Sequence, residues 1–182
     1  VQALTEEHGF LVLRGMEVNT ELGHIAIFGL PELVGGLHKI DALRRVADEV
    51  GGFLVALHPF RRLLTPSRNN RGELVEPVDY ETALTWPVWG YVDAIEVLNG
   101  ANTDDENALA YRVAQALGKP GTGGSDAHSI HGMGCFTTCF EDTLRSDQDL
   151  LEALKAGAFY PAQGLLGGNL TRYEPDLEEA SL

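Results

Sequence analysis

Short apolar runs alternate with segments of helical period along most of this chain, and that alternation constrains the fold more than any single residue does. Residues 10–13, running on into Gly15-Met16-Glu17-Val18, read as a strand, as do 24–29, 53–57, 92–98, 135–140 and 158–160. Between them, residues 37–50 carry Ile40, Leu43, Val46, Ala47 and Val50 at helical spacing and stop at Gly51-Gly52. Thr103-Asp104-Asp105-Glu106 has capping-box form and opens a helix to Leu117. Shorter helices fit residues 4–8, 79–86 and 146–156. Strands alternating with helices predict a parallel sheet. Strands that are apolar throughout predict cover on both faces. Barrel and open sheet both satisfy that pattern.

The 182 residues suffice for one domain, read as residues 1–163 followed by an acidic tail, 164–182, that wraps the surface or is partly disordered. No apolar run reaches the roughly 18 residues of a membrane span, and Val1-Gln2-Ala3-Leu4-Thr5-Glu6-Glu7 lacks the pattern of a signal peptide. The chain opens without methionine and reads as a fragment or a processed product. A net charge of −14 repels phosphate backbones and excludes non-specific nucleic-acid binding. A small phosphorylated substrate stays compatible, because bound metal reverses the local field. Cys135 and Cys139, about 13 Å apart on a strand, are too distant for a disulfide and read as reduced thiols of a cytoplasmic protein. Residues 60–76, with Arg61, Arg62, Arg68 and Arg71, form a long basic loop of the kind that serves as a lid or substrate loop.

The polar residues fall at strand ends. Glu17 lies at the end of the first strand segment, His58 directly follows the third run, and Gly123-Gly124-Ser125-Asp126-Ala127-His128 closes a short extended piece. Functional side chains gather at the carboxyl ends of parallel strands. On a strand, Asp126 and His128 share one side. His24 opens its strand, seven residues from Glu17 across a turn. These two carboxylates and three imidazoles suit zinc, manganese or iron in a polynuclear hydrolytic site. Each residue has a plainer role when taken alone. Asp126 caps a turn, His128 is solvated, His24 is a buried histidine satisfied by backbone, His58-Pro59 stops a strand, and Glu17 pairs with Arg14. His8 and His38 read as non-ligands, while His131 faces either site or solvent. Glu96 on an apolar strand needs a partner, so it and Asn99 line or support the site.

The pieces Gly15-Met16-Glu17-Val18, Gly23-His24-Ile25, Leu57-His58-Pro59-Phe60-Arg61, Ile95-Glu96-Val97-Leu98-Asn99-Gly100 and Gly124-Ser125-Asp126-Ala127-His128 occur in an order that resembles the PHP family, named for polymerase and histidinol phosphatase. The resemblance implies a distorted (β/α)7 barrel of the TIM-like type, a site for two or three divalent metals, and hydrolysis of phosphate esters. It implies Glu17 as the carboxylate bridging two metals, His24 and His58 as ligands of one of them, Asp126 as a ligand of the second and His128 of a third. Arg61 is a candidate phosphate clamp through its planar fork, and His131 a further substrate-side residue. The family's opening His-x-His is not found, so the first βα units are expected upstream or supplied by an oligomer.

The function expected is that of a metal-dependent phosphoesterase acting on a small phosphate ester. Glu17, Asp126 and His128 are its catalytic residues, with metal-activated water as nucleophile and His128 or His131 as proton donor. A non-catalytic PHP-like metal-binding or interaction module is the first alternative. A metal-dependent hydrolase of amides or lactones is the second.

Overall fold

The computed structural model describes residues 1–68 and 71–177. In chain order it contains α1 (Gln2–His8), β1 (Gly15–Thr20), β2 (Gly23–Phe28), α2 (Ile40–Val50), β3 (Phe53–Ala56), β4 (Ser67–Arg68), β5 (Leu74–Val75) and α3 (Tyr80–Leu84). A 3-10 turn, Pro87–Gly90, then leads to β6 (Ala94–Asn99), α4 (Asp104–Leu117), β7 (Gly121–Gly124), β8 (Phe136–Phe140), α5 (Asp147–Ala156), β9 (Phe159–Gln163) and β10 (Thr171–Arg172). Among the described residues no helix is long and apolar enough to cross a membrane.

The main sheet has the order β1-β2-β3-β6-β7. Only β3, β6 and β7 are parallel; β2 runs antiparallel to both of its neighbours, β1 and β3. The all-parallel expectation therefore fails over half the sheet, for two reasons. Glu21 and Leu22 alone join β1 to β2, and a two-residue link permits only a hairpin. Beyond β2, residues 29–39 return to that hairpin turn before α2 begins. Glu21 N–H donates to the His38 carbonyl (3.2 Å), and Ile40 N–H donates to Glu21 Oε2 (3.0 Å). Helix α2 then runs down the sheet and β3 runs back up it, so β3 opposes β2.

The fold is thus mixed α/β around a partly parallel sheet. The described strands do not close a barrel. A second sheet, β10-β9-β8, is wholly antiparallel. Residues 10–13, expected as a strand, are irregular, and Phe10 is 71% exposed. The expected loop 60–76 carries the small β4–β5 ribbon, and its residues 69–70 lie outside the described residues. The expected tail begins as structure: β10 pairs with β9, and Tyr173 N–H donates to the Pro161 carbonyl (2.8 Å). Its last residues, 178–182, lie outside the described ones.

Alternation along the strands builds two apolar layers. Ile25, Ile27, Leu54, Ile95 and Val97 pack with α2, α4, Phe60 and Trp89. Ala26, Phe53, Val55 and Ala94 pack with Leu150 and Leu154 of α5 and Phe159 of β9. Both layers leave the end of the sheet open where the β1–β2 turn and the carboxyl ends of β3, β6 and β7 meet. Strand β7 is almost all glycine, for want of space. A Cβ at Gly124 would lie 2.7 Å from Glu96 Oε1, and one at Gly123 would lie 2.5 Å from the Thr137 carbonyl oxygen.

Candidate metal centre

The hairpin register puts Glu17 opposite Ala26 and His24 opposite Asn19. Glu17 and His24 are thus diagonal neighbours on one face, within side-chain reach. His24 Nδ1 lies 2.6 Å from Glu17 Oε1. The third member arrives from β3. Leu57 N–H donates to the His24 carbonyl (2.9 Å), and the chain then turns sharply at His58, whose φ is 30°. That turn lays the His58 imidazole edge-on to His24, with ring centroids 5.0 Å apart, and its Nε2 3.9 Å from Glu17 Oε1. One ligand atom from each of Glu17, His24 and His58 lies within 4.8 Å of the others.

This donor set fits one divalent ion. Two imidazoles and a carboxylate are what zinc, iron or manganese accept, and three protein ligands leave positions open. Donors bound at ~2.1 Å to a single ion lie at most ~4.2 Å apart, so the set needs little movement to close. Glu17 and His24 are 48% and 41% exposed, which leaves an entry path. Burial, and then the Arg61 guanidinium, lower the His58 pKa and favour the neutral ligand form.

Behind the triad is a closed polar network. Glu96, 6% exposed on β6, accepts from His58 N–H (2.8 Å) and from Asn99 Nδ2 (2.9 Å). Burial pushes its carboxyl up to about 7. Arg61 donates to Asn99 Oδ1 (2.8 Å), to Asn102 Oδ1 (3.2 Å) and, through Nη2, to Asp126. Glu106, buried in the first turn of α4, accepts from Thr103 N–H (2.9 Å) to complete the capping box and also accepts from Arg62 N–H. Among the described residues, the non-glycine residues with positive φ are His58, Arg62 and Asp126. Glu96, Glu106 and Arg61 hold them in turn, so the strained backbone is concentrated at this one end of the sheet.

Residues 104–159, from α4 to the start of β9, match the family model described as PHP-associated. That match covers less than half of the chain, which over this segment is similar to PHP-associated proteins. No curated protein matches it. Among solved structures it is similar to PsfC from Pseudomonas syringae PB-5123, with a TM-score of 0.56 and 23% identity over 80% of this chain and 58% of PsfC. It also matches a provisionally assigned metal-dependent phosphoesterase from Bifidobacterium adolescentis ATCC 15703, with a TM-score of 0.38 and 20% identity over 64% of this chain and 36% of that one. The chain therefore spans less than two thirds of either protein.

The other expected ligands do not join the triad. Strand β7 ends at Gly124, so the alternation that would have aligned Asp126 with His128 has already stopped. Asp126, at φ 50°, turns its carboxylate to Arg61. Burial raises its pKa, but the Arg61 hydrogen bond and charge outweigh this and hold it below the ordinary value. His128 is 87% exposed, with Nδ1 2.9 Å from the Asp126 carbonyl oxygen. His131 is exposed, its N–H donating to Ser129 Oγ (3.2 Å). Arg61, expected to clamp phosphate, has its guanidinium committed within the network. Sequence reasoning found Glu96 and Asn99 but missed Asn102, the second task of Glu106, and Asn107, whose Oδ1 accepts from Asn99 N–H (3.0 Å). The capping box already accounted for Glu106, and nothing local hinted that Arg62 would come to it.

Proposed function

We propose that this chain forms the metal-holding part of a phosphoesterase that hydrolyses a small phosphate ester. The single observation that carries the reading is the convergence of Glu17, His24 and His58 at the carboxyl-end mouth of the sheet. A divalent zinc, manganese or iron ion held there supplies a water that ionises near neutral pH and positive charge facing the phosphate. The remaining work falls to the chain. Glu96 fixes the His58 backbone, and with it the imidazole. Arg61, anchored on Asn99 and Asn102, presents a cation at the site's edge. Asp126 neutralises that cation until an anionic group competes for it. His128 has its Nδ1 beside the Asp126 carbonyl, so Nε2 is the atom that can carry a proton to a leaving oxygen. We also read the five-stranded sheet as an arc of the distorted (β/α)7 barrel of the PHP type, from the order of motifs that resembles that family. The free thiols Cys135 and Cys139 accord with a reducing, cytoplasmic setting.

One observation favours a second reading, a PHP-like module that binds metal without turnover: Asp126 is engaged by Arg61, and the described residues assemble ligands for one ion only. The test is metal content by mass spectrometry on protein purified without chelator, followed by a screen of phosphate monoesters. Bound metal with turnover that Glu17→Gln abolishes supports the phosphoesterase. One bound equivalent without turnover supports the module. No bound metal rejects both.

A further inference from the structure

A cavity of about 260 Å³ opens beside the metal centre. His24, His58 and Arg61 are among the residues lining it, as are Leu22, Val88 and Trp86. Trp86 is half-buried and locked from behind: it stacks on Trp89 with ring centroids 5.9 Å apart and planes at 13°, and Phe60 lies 5.0 Å away. The indole is thus a fixed flat part of the cavity lining. No Asp or Glu is among the lining residues.

We propose that this cavity is the leaving-group subsite and takes the flat, uncharged ring of a phosphate monoester. The inference rests on the phosphoesterase reading and deepens it. Size sets the first limit. At ~30 Å³ for each water-sized unit, the cavity holds roughly nine non-hydrogen atoms. That suits a single substituted ring. Charge sets the second. With two histidines and an arginine among the lining residues and no carboxylate, a cationic amine finds no counter-ion in the lining itself. Shape sets the third, because a rigid indole prefers a flat partner in offset or edge-on contact. In the reaction, the water oxygen bonds to phosphorus. The phosphorus–oxygen bond to the alcohol breaks with its electron pair on that oxygen, which takes up a proton. The ring stays in the cavity throughout.

Benzyl phosphate and ethyl phosphate test this, since both release an alkoxide and differ in the ring. On the manganese-loaded chain, kcat/KM for the benzyl ester should exceed that for the ethyl ester by about tenfold or more. Trp86→Ala should bring the ratio to within about twofold of one, acting through the KM of the benzyl ester. Because Trp86 also packs against the core, a measurement on the unmodified chain accompanies the variant. Benzylphosphonate should inhibit competitively about tenfold more tightly than ethylphosphonate. Equal handling of the two esters and of the two phosphonates overturns the subsite and leaves the phosphoesterase standing. A preference that survives in folded Trp86→Ala also overturns it. Hydrolysis of neither ester removes the phosphoesterase reading, and this inference with it.

Discussion

Two groups of carboxylates stand a few residues apart in space and have opposite characters. Glu17, on the rim, is about half exposed and faces two imidazoles. Glu96 and Glu106, one layer below, are buried and saturated by backbone and amide donors. The rim group has lone pairs to spare and little that fixes it. The inner group is shielded from solvent and holds the backbone of His58 and Arg62 by accepting their N–H bonds. Ligand binding is therefore assigned to the first and positioning to the second, although each is a glutamate on a strand or helix.

The largest effect expected is on the rim. Glu17→Ala should weaken zinc or manganese binding by more than 100-fold, since the loss of an outer-shell partner alone costs 10–100-fold. Unfolding of the metal-free variant in urea should stay within ~0.5 kcal/mol of the unmodified chain. A large loss of metal-free stability would erase the distinction between rim and interior. Next, Glu96→Ala should destabilise the metal-free chain by about 3 kcal/mol, because it leaves the His58 N–H and the Asn99 amide without an acceptor. A cost below ~1 kcal/mol in denaturant melts would mean the inner network is not closed.

The third prediction concerns pH. Glu96 titrates in the fold at about 7, above the 4.5 of an ordinary glutamate, because burial disfavours its charge. The folded state then binds the extra proton between those values. The stabilisation is complete below pH 4.5 and is lost as pH rises through about 7. Melting of metal-stripped protein across that window should show the decline, and Glu96→Gln should flatten it. The smallest effect separates the two tasks of Glu106. Thr103→Ala removes the cap alone and should cost about 1 kcal/mol. Glu106→Ala also frees Arg62 N–H and should cost about 1 kcal/mol more by the same thermal assay. Equal costs would show that the tether to Arg62 carries no energy.

Much of the frame was legible because it is local. The helix at Thr103-Glu106, its end at Gly118 and the strand through Glu96 are written in caps and apolar runs. The hairpin was not, since the alternation of strands and helices suggested one direction throughout, while the two-residue link at Glu21-Leu22 dictated the reverse. Glu21 itself explains the rest of that miss: its carboxylate meets the first turn of α2 from nineteen positions away in the chain, a tertiary cap without a sequence pattern. At the site, Glu17, His24 and His58 stood out as polar residues beside apolar runs. Asp126 and His128 stood out too, but β7 stops at Gly124 and Asp126 takes a positive φ, so the strand alternation that would align them is lost. Trp86 gave no sign of a role, because a tryptophan beside Pro87 reads as core.

Strand β7 has a consequence for the ancestry of such chains. With Glu96 against one face and the Thr137 backbone against the other, even one added carbon at Gly123 or Gly124 displaces something the site depends on. Change at these two positions cannot accumulate singly and has to arrive together with a replacement of Glu96 or a new path for β8. The glycine strand thus constrains the site by the space it leaves, and the rim constrains it by the ligands it carries.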